Sequence, residues 1–266
     1  MYPIIDCHCH IYPDKIAERA VRGIGDFYDL EMRNGGTVSD MLKSEREAGV
    51  THCIVFSVAT KTSQVQSING FIADEVKKAG GMLTGLGTLH PDSTDIAGDI
   101  EHLLKLGLKG VKLHPDVQGF KIDDYRCLKI YELCEKKKLP VLLHTGDFRY
   151  DFSNPNRVQP ILETYTELTV IGAHFGGWSV WDEAAKELPG YNNFYVDCSS
   201  SFYALSPEKS LELIRLYGAD RVLFGTDYPM WIPKDELRFF NSLGLTEKEK
   251  ELILYRNAQK LFGLSI

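Results

Sequence analysis

The 266-residue sequence contains no run approaching the roughly 20 consecutive apolar residues needed to span a bilayer, so no membrane partner is expected. Its opening, Met1-Tyr2-Pro3-Ile4-Ile5-Asp6, has neither the basic segment nor the apolar core of a secretory signal, and a cytoplasmic location is expected. Excess positive charge is missing as well. Thirty Lys and Arg against 37 Asp and Glu give a formal net charge of −7, which repels a phosphodiester backbone and weighs against nucleic acid as a partner. The six cysteines include no Cys-x-x-Cys pair. Cys7, Cys9, Cys53, Cys127, Cys134 and Cys198 therefore read as reduced, buried small hydrophobes rather than a zinc knuckle or a disulfide framework. Low-complexity tracts and Pro/Gly/Ser-rich linkers are absent too, which leaves one domain over residues 1–266.

What is present is an alternation. Short apolar, β-branched runs at 3–8, 51–58, 82–89, 110–114, 140–144, 168–174, 193–198 and 221–227 predict strands. Between them, apolar residues at three- and four-residue spacing predict helices, most clearly over 38–48, 63–78, 95–106, 123–138 and 207–217. Glycines at 49, 80, 107 and 218 mark their ends. Strands that are apolar throughout require cover on both faces, and a helix between successive strands implies right-handed parallel crossovers. The expected fold is a (β/α)8 TIM barrel of the metal-dependent hydrolase type, which takes about 250 residues. The longest irregular insertion, 11–37, is expected to fold over the site as a lid.

The chemistry gathers at strand ends. In Ile5-Asp6-Cys7-His8-Cys9-His10, residues two apart share a face, so His8 and His10 can hold one ion from one side. His144, His174 and Asp227 close the fifth, sixth and eighth strand candidates. In a barrel these ends converge on the face that carries active sites. Imidazoles with a carboxylate suit one divalent metal ion, with zinc expected and iron, manganese or cobalt admitted. Lys112 and His114 share a face at the end of the fourth strand candidate, and Arg149 follows the fifth. Trp178, Trp181, Tyr228 and Trp231 follow the sixth and eighth, as an aromatic wall over the substrate or as loop packing. His90 reads equally as pocket lining or as a strand cap, whereas His52, at a strand start, and His102, on a helix, read as structural.

Asp6-x-His8-x-His10, His144-Thr145-Gly146, Ala173-His174-Phe175-Gly176-Gly177, Phe224-Gly225-Thr226-Asp227-Tyr228-Pro229 and Asn257-Ala258-Gln259-Lys260-Leu261-Phe262 together resemble the amidohydrolase superfamily. The likeness is to its amidohydrolase-2 branch, which holds decarboxylases and a lactonase. The resemblance implies that His8, His10, His144 and Asp227 are metal ligands and that His174, with Asp227, manages the proton of an attacking water. It also implies a small organic acid as substrate, whose carboxylate Lys112, His114 and Arg149 are expected to meet; by their position after the sixth and eighth strands, Trp178 and Tyr228 are the expected aromatic contacts. In binuclear relatives a lysine at the end of the fourth strand is carboxylated and bridges two metals, a role left open for Lys112. Hydrolysis by a metal-activated water is the first expectation. Non-oxidative decarboxylation at the same site is the alternative. A deoxyribonuclease of the TatD type or an inactive binding barrel ranks lower. A homodimer is left open.

Overall fold

The computed structural model describes residues 2–265. Nine short buried strands form its centre: β1 (Ile5–His10), β2 (His52–Phe56), β3 (Leu83–Gly85), β4 (Gly87–Thr88), β5 (Val111–Leu113), β6 (Val141–Leu143), β7 (Val170–Gly172), β8 (Phe194–Asp197) and β9 (Val222–Leu223). All ladders are parallel. Around them lie α1 (Asp14–Tyr28), α2 (Val38–Ala48), α3 (Val65–Lys78), α4 (Ile96–Lys105), α5 (Pro115–Gln118), α6 (Tyr125–Lys137), α7 (Pro155–Thr164) and α8 (Trp181–Glu187). They are followed by α9 (Pro207–Tyr217), α10 (Pro233–Asn241), α11 (Glu247–Glu251) and α12 (Asn257–Phe262). The arrangement is the (β/α)8 barrel expected from the alternation.

The ladder is not continuous around the barrel; it divides into the sheet β1-β2-β3 and the sheet β4 to β9. Backbone hydrogen bonds outside the ladders bridge the two seams. At one, Leu86 N–H donates to Val55 O and Gly87 N–H to Gly110 O, so β3 and β4 act as one strand that changes partner. At the other, Cys7 N–H donates to Phe224 O and His10 N–H to Tyr228 O, which carries the eighth strand past β9 to the site. A side chain at Gly225 would meet the His8 Cβ at 2.9 Å, so that crossing of β1 requires glycine.

Helix boundaries follow local chemistry. Thr37 caps α2 by accepting from Asp40 N–H, and Gly49 ends it in the left-handed conformation. Ser206 caps α9, with Pro207 in its first turn. All six cysteines are buried and unpaired. His52, buried at the start of β2, bonds to Thr84 Oγ1 at 2.9 Å, the structural part expected of it.

One expectation needs correction. Residues 11–37 are not irregular, because they contain the 15-residue helix α1. Ile16, Ala20, Ile24 and Phe27 keep helical spacing within it but are only half-buried, while Ala17, Gly25 and Tyr28 are buried. The segment is anchored beyond the helix by Asn34, whose side-chain amide donates to Trp231 O at 2.8 Å.

Candidate metal centre

His8, His10, His114, His144, His174 and Asp227 line one pocket at the carboxyl ends of the strands. The ligand atoms of His8, His10 and Asp227 cluster within 4.8 Å of one another. Asp227 Oδ1 stands 3.3 Å from His8 Nε2 and 3.5 Å from His10 Nε2. His8 Nδ1–H donates to Asp197 Oδ2 at 2.8 Å, which puts the lone pair on Nε2, the nitrogen that faces Asp227. On the far side, Ser200 Oγ donates to Asp227 Oδ2 at 2.5 Å and itself accepts from Trp231 Nε1.

His144 lies beside this group rather than within it. Its Nδ1 is 3.1 Å from His174 Nε2, and its ring stacks on His114 at 4.0 Å between centroids. His174 Nδ1–H donates to Ser199 O at 2.9 Å, so the His174 Nε2 carries the lone pair that meets His144. Burial holds the site histidines in their neutral form. It pushes His174 down to about 4 and moves His8, His10, His114 and His144 well below the usual imidazole range. Neutral imidazoles beside a carboxylate are the donor set a borderline divalent ion takes, so these side chains fit a metal.

The backbone is strained here. His174, Ser200 and Asp227 all have positive φ, at 61°, 44° and 61°. Non-glycine residues in that region cost of order 1–3 kcal/mol each and cluster at functional sites.

Other expected residues fall elsewhere. Lys112 is fully buried inside the barrel, its Nζ 3.3 Å from His8 Nε2 and 5.1 Å from the Phe56 ring centre, and burial pushes it down to about 8. Arg149 is held by both carboxylate oxygens of Asp147 and donates to Phe27 O at the end of α1. Its guanidinium lies over the rings of Phe27, Tyr28, Tyr150 and Trp178. The Tyr228 hydroxyl donates to Asp40 Oδ2 and accepts from Gly36 N–H, which ties it to the chain beyond α1. Neither Lys112, Arg149 nor Tyr228 forms the pocket wall, whereas Trp178 and His114 do. His90 caps its own loop, accepting from Asp92 N–H.

Sequence reasoning gave no role to three residues of the site. Asp197 orients His8 and also accepts from His174 N–H and Ser199 N–H. A carboxylate ending an apolar strand run was the available signal. Tyr28, from α1, brings its hydroxyl 2.8 Å from His114 Nε2 and 3.3 Å from His144 Nε2. Asp116 is buried 3.8 Å from His144 Nε2, with Oδ1 unpartnered, and burial pushes it up to about 7. With Tyr28 in place the remaining cavity is about 30 Å³, roughly one water.

A parallel barrel with histidine pairs and a carboxylate at its strand ends defines a metal-dependent barrel enzyme. The chain belongs to the amidohydrolase family, whose model matches residues 5–264. It is 25% identical over 252 residues to gamma-resorcylate decarboxylase of Polaromonas sp. (strain JS666), covering 74% of this chain and 75% of that one. It is 26% identical over 247 residues to 2-amino-3-carboxymuconate-6-semialdehyde decarboxylase of Dictyostelium discoideum, covering 75% and 66%. Among solved structures, an uncharacterised TIM-barrel protein of Bordetella bronchiseptica matches with a TM-score of 0.82 at 23% identity, covering 98% of this chain and 99% of that one. A dihydroxybenzoic acid decarboxylase of Polaromonas sp. JS666 with bound manganese matches at 0.74 and 19% identity, covering 99% and 98%. These structural matches show the fold, and the two curated relatives favour decarboxylation over the hydrolysis first expected.

Proposed function

We propose that this chain is a metal-dependent, non-oxidative decarboxylase of a small aromatic or unsaturated carboxylic acid. One observation of the site carries the reading. The wall that faces the histidines is apolar and aromatic, made by Ile24, Met32, Trp178 and Met230, with the Tyr28 ring among them. A flat acid fits such a wall, and exclusion of water favours the loss of a charged carboxylate as neutral CO2.

His8, His10 and Asp227 would hold the ion, with His144 beside them, and when bound it would supply a Lewis acid for the substrate's oxygen atoms. The imidazole-rich donors favour zinc, one ion per chain; the manganese of the related decarboxylase makes that metal the main competitor. Asp197 keeps the His8 Nε2 lone pair directed at Asp227. His174 Nε2 and the Asp227 carboxylate are the groups placed to hold the proton that replaces CO2 on the substrate carbon. His114 meets the substrate carboxylate from the wall, and Lys112 adds positive charge from beneath. The closure of α1 over the pocket serves as the lid.

Protein loaded with zinc or with manganese is incubated with carboxyl-labelled 2,6-dihydroxybenzoate, related hydroxybenzoates and small lactones, and labelled CO2 and ring opening are scored separately. CO2 release is expected. Lactone opening without CO2 release from any acid would return the chain to the hydrolase reading.

A further inference from the structure

Behind α1 runs a groove of about 880 Å³, walled by α1 on one side and α3 on the other. We infer that this groove is an outer substrate site that takes the apolar body of an aryl or other apolar carboxylic acid whose reacting end lies at His10 and His114. The inference rests on the decarboxylase reading for its substrate end and on the groove's own walls for the rest.

The α1 wall is one helical stripe. Ile16, Ala20, Ile24 and Phe27 follow one another at four, four and three residues and all line the groove. Such a stripe ordinarily packs on a core. Here its members are only half-buried: Ile24 and Phe27 pack in part against the cluster of Tyr28, Trp178 and Met230, and all four keep a face on the groove. Opposite stand Ile68 and Phe71 of α3, half-buried as well. The volume falls in the range of small-molecule sites, roughly 300–1,000 Å³, whose walls are mostly apolar.

Two observations name the occupant. His10 and His114 line both this groove and the metal pocket, so a ligand lying in the groove reaches the reacting centre without crossing the barrel. Lys15 and Arg19, on the α1 rim, have no hydrogen-bond or ion-pair partner among the described residues. Across the groove Glu75 is paired with Lys78, and Asp74 is the remaining carboxylate. Apolar walls with two free cations on one rim suit an anion with an extended apolar body rather than a single small ring. The cavity of about 30 Å³ under Tyr28 suits only the reacting end.

The test measures equilibrium binding of 8-anilinonaphthalene-1-sulfonate, a two-ring anion, to metal-loaded protein, with displacement by 1-hydroxy-2-naphthoate and by salicylate. One-to-one binding is expected, displaced by the naphthoate at lower concentration than by salicylate. Ile68→Trp and, independently, Ala20→Trp fill the groove from its two walls. Each should weaken the naphthoate about tenfold or more, and more than it weakens salicylate. Failure of the wild type to bind the two-ring anion, or equal effects of both substitutions on one- and two-ring acids, would overturn the inference. So would sedimentation showing a dimer that Ile68→Trp dissociates, since the groove is then an interface between two copies. Binding as expected with no CO2 from any aryl acid would uphold the groove and defeat the decarboxylase reading, which keeps the two failures apart.

Discussion

His8 donates its Nδ1 proton to Asp197 Oδ2 across 2.8 Å, and both side chains are buried. That bond decides which nitrogen of His8 is available, and Asp197 holds His174 N–H at the same time. Partners of this kind are worth about 10–100-fold in metal affinity. Asp197→Ala should weaken metal binding by that factor in a competitive titration, and Asp197→Asn, which keeps an acceptor oxygen, should recover part of it. An unchanged affinity in both variants would remove His8 from the set of ligands.

His174 stands next to His144 without belonging to the cluster of His8, His10 and Asp227. His174→Asn should therefore leave metal content near wild type and lower kcat by roughly 10²–10⁴, the usual worth of general acid–base help. Loss of the metal would make His174 a ligand and move the proton-carrying role elsewhere.

Tyr28 occupies the pocket through its bonds to His114 and His144, so a substrate must displace its hydroxyl. Tyr28→Phe removes a hydrogen bond worth about 0.5–1.5 kcal/mol from the resting enzyme. KM should fall by roughly two- to tenfold, the corresponding change in binding. A raised KM would mean that the hydroxyl instead donates to bound substrate.

Lys112 sits beside the metal-facing nitrogen of His8, and burial holds it at about 8. At neutral pH its ammonium opposes a dication, so Lys112→Met should tighten metal binding, and the gain should shrink as pH rises past about 8. The same substitution should raise KM for a carboxylic acid more than for its methyl ester, because that charge also faces the substrate carboxylate; unchanged metal affinity together with equal effects on acid and ester would leave Lys112 with neither role.

Glu236 is buried with Oε2 unpartnered, and burial, followed by the charges of Asp6 and Asp227, pushes it up to about 8. An unfolded glutamate titrates near 4.3. Between these values the folded chain binds the proton and the unfolded chain releases it. Stability from this group is therefore complete below the unfolded value and drains as pH rises to about 8, by up to about 1.4 kcal/mol per pH unit. Glu236→Gln should raise the Tm of metal-free protein progressively from pH 5 to 8 and by a constant amount above. A pH-independent difference would show that the carboxyl does not titrate in this range.

Two kinds of information separate cleanly here. The sequence by itself determined the alternation of strands and helices and the residues that end the strands, because a strand's period of two and a helix's period of 3.6 are local properties. His8, His10, His144, His174 and Asp227 lie at strand ends, and parallel barrel topology alone is enough to bring strand ends together. Position in the chain could not give the direction of a side chain that leaves a loop. Arg149 and Tyr228 follow site strands yet are taken by Asp147 and by Asp40, partners available only after folding. Lys112 shares a strand face with the barrel interior, and whether that face opens to the pocket depends on the layers of side chains stacked above it. Tyr28 comes from α1, whose own spacing says nothing of where the helix docks, and only the packing of α1 across the barrel mouth carries its hydroxyl to His114. Asp197 is a single carboxylate in an apolar strand. Its meaning rests on β8 lying beside β7 and near the end of β1, a juxtaposition of residues 189 apart that the tertiary structure alone decides, because the closing of the barrel sets it.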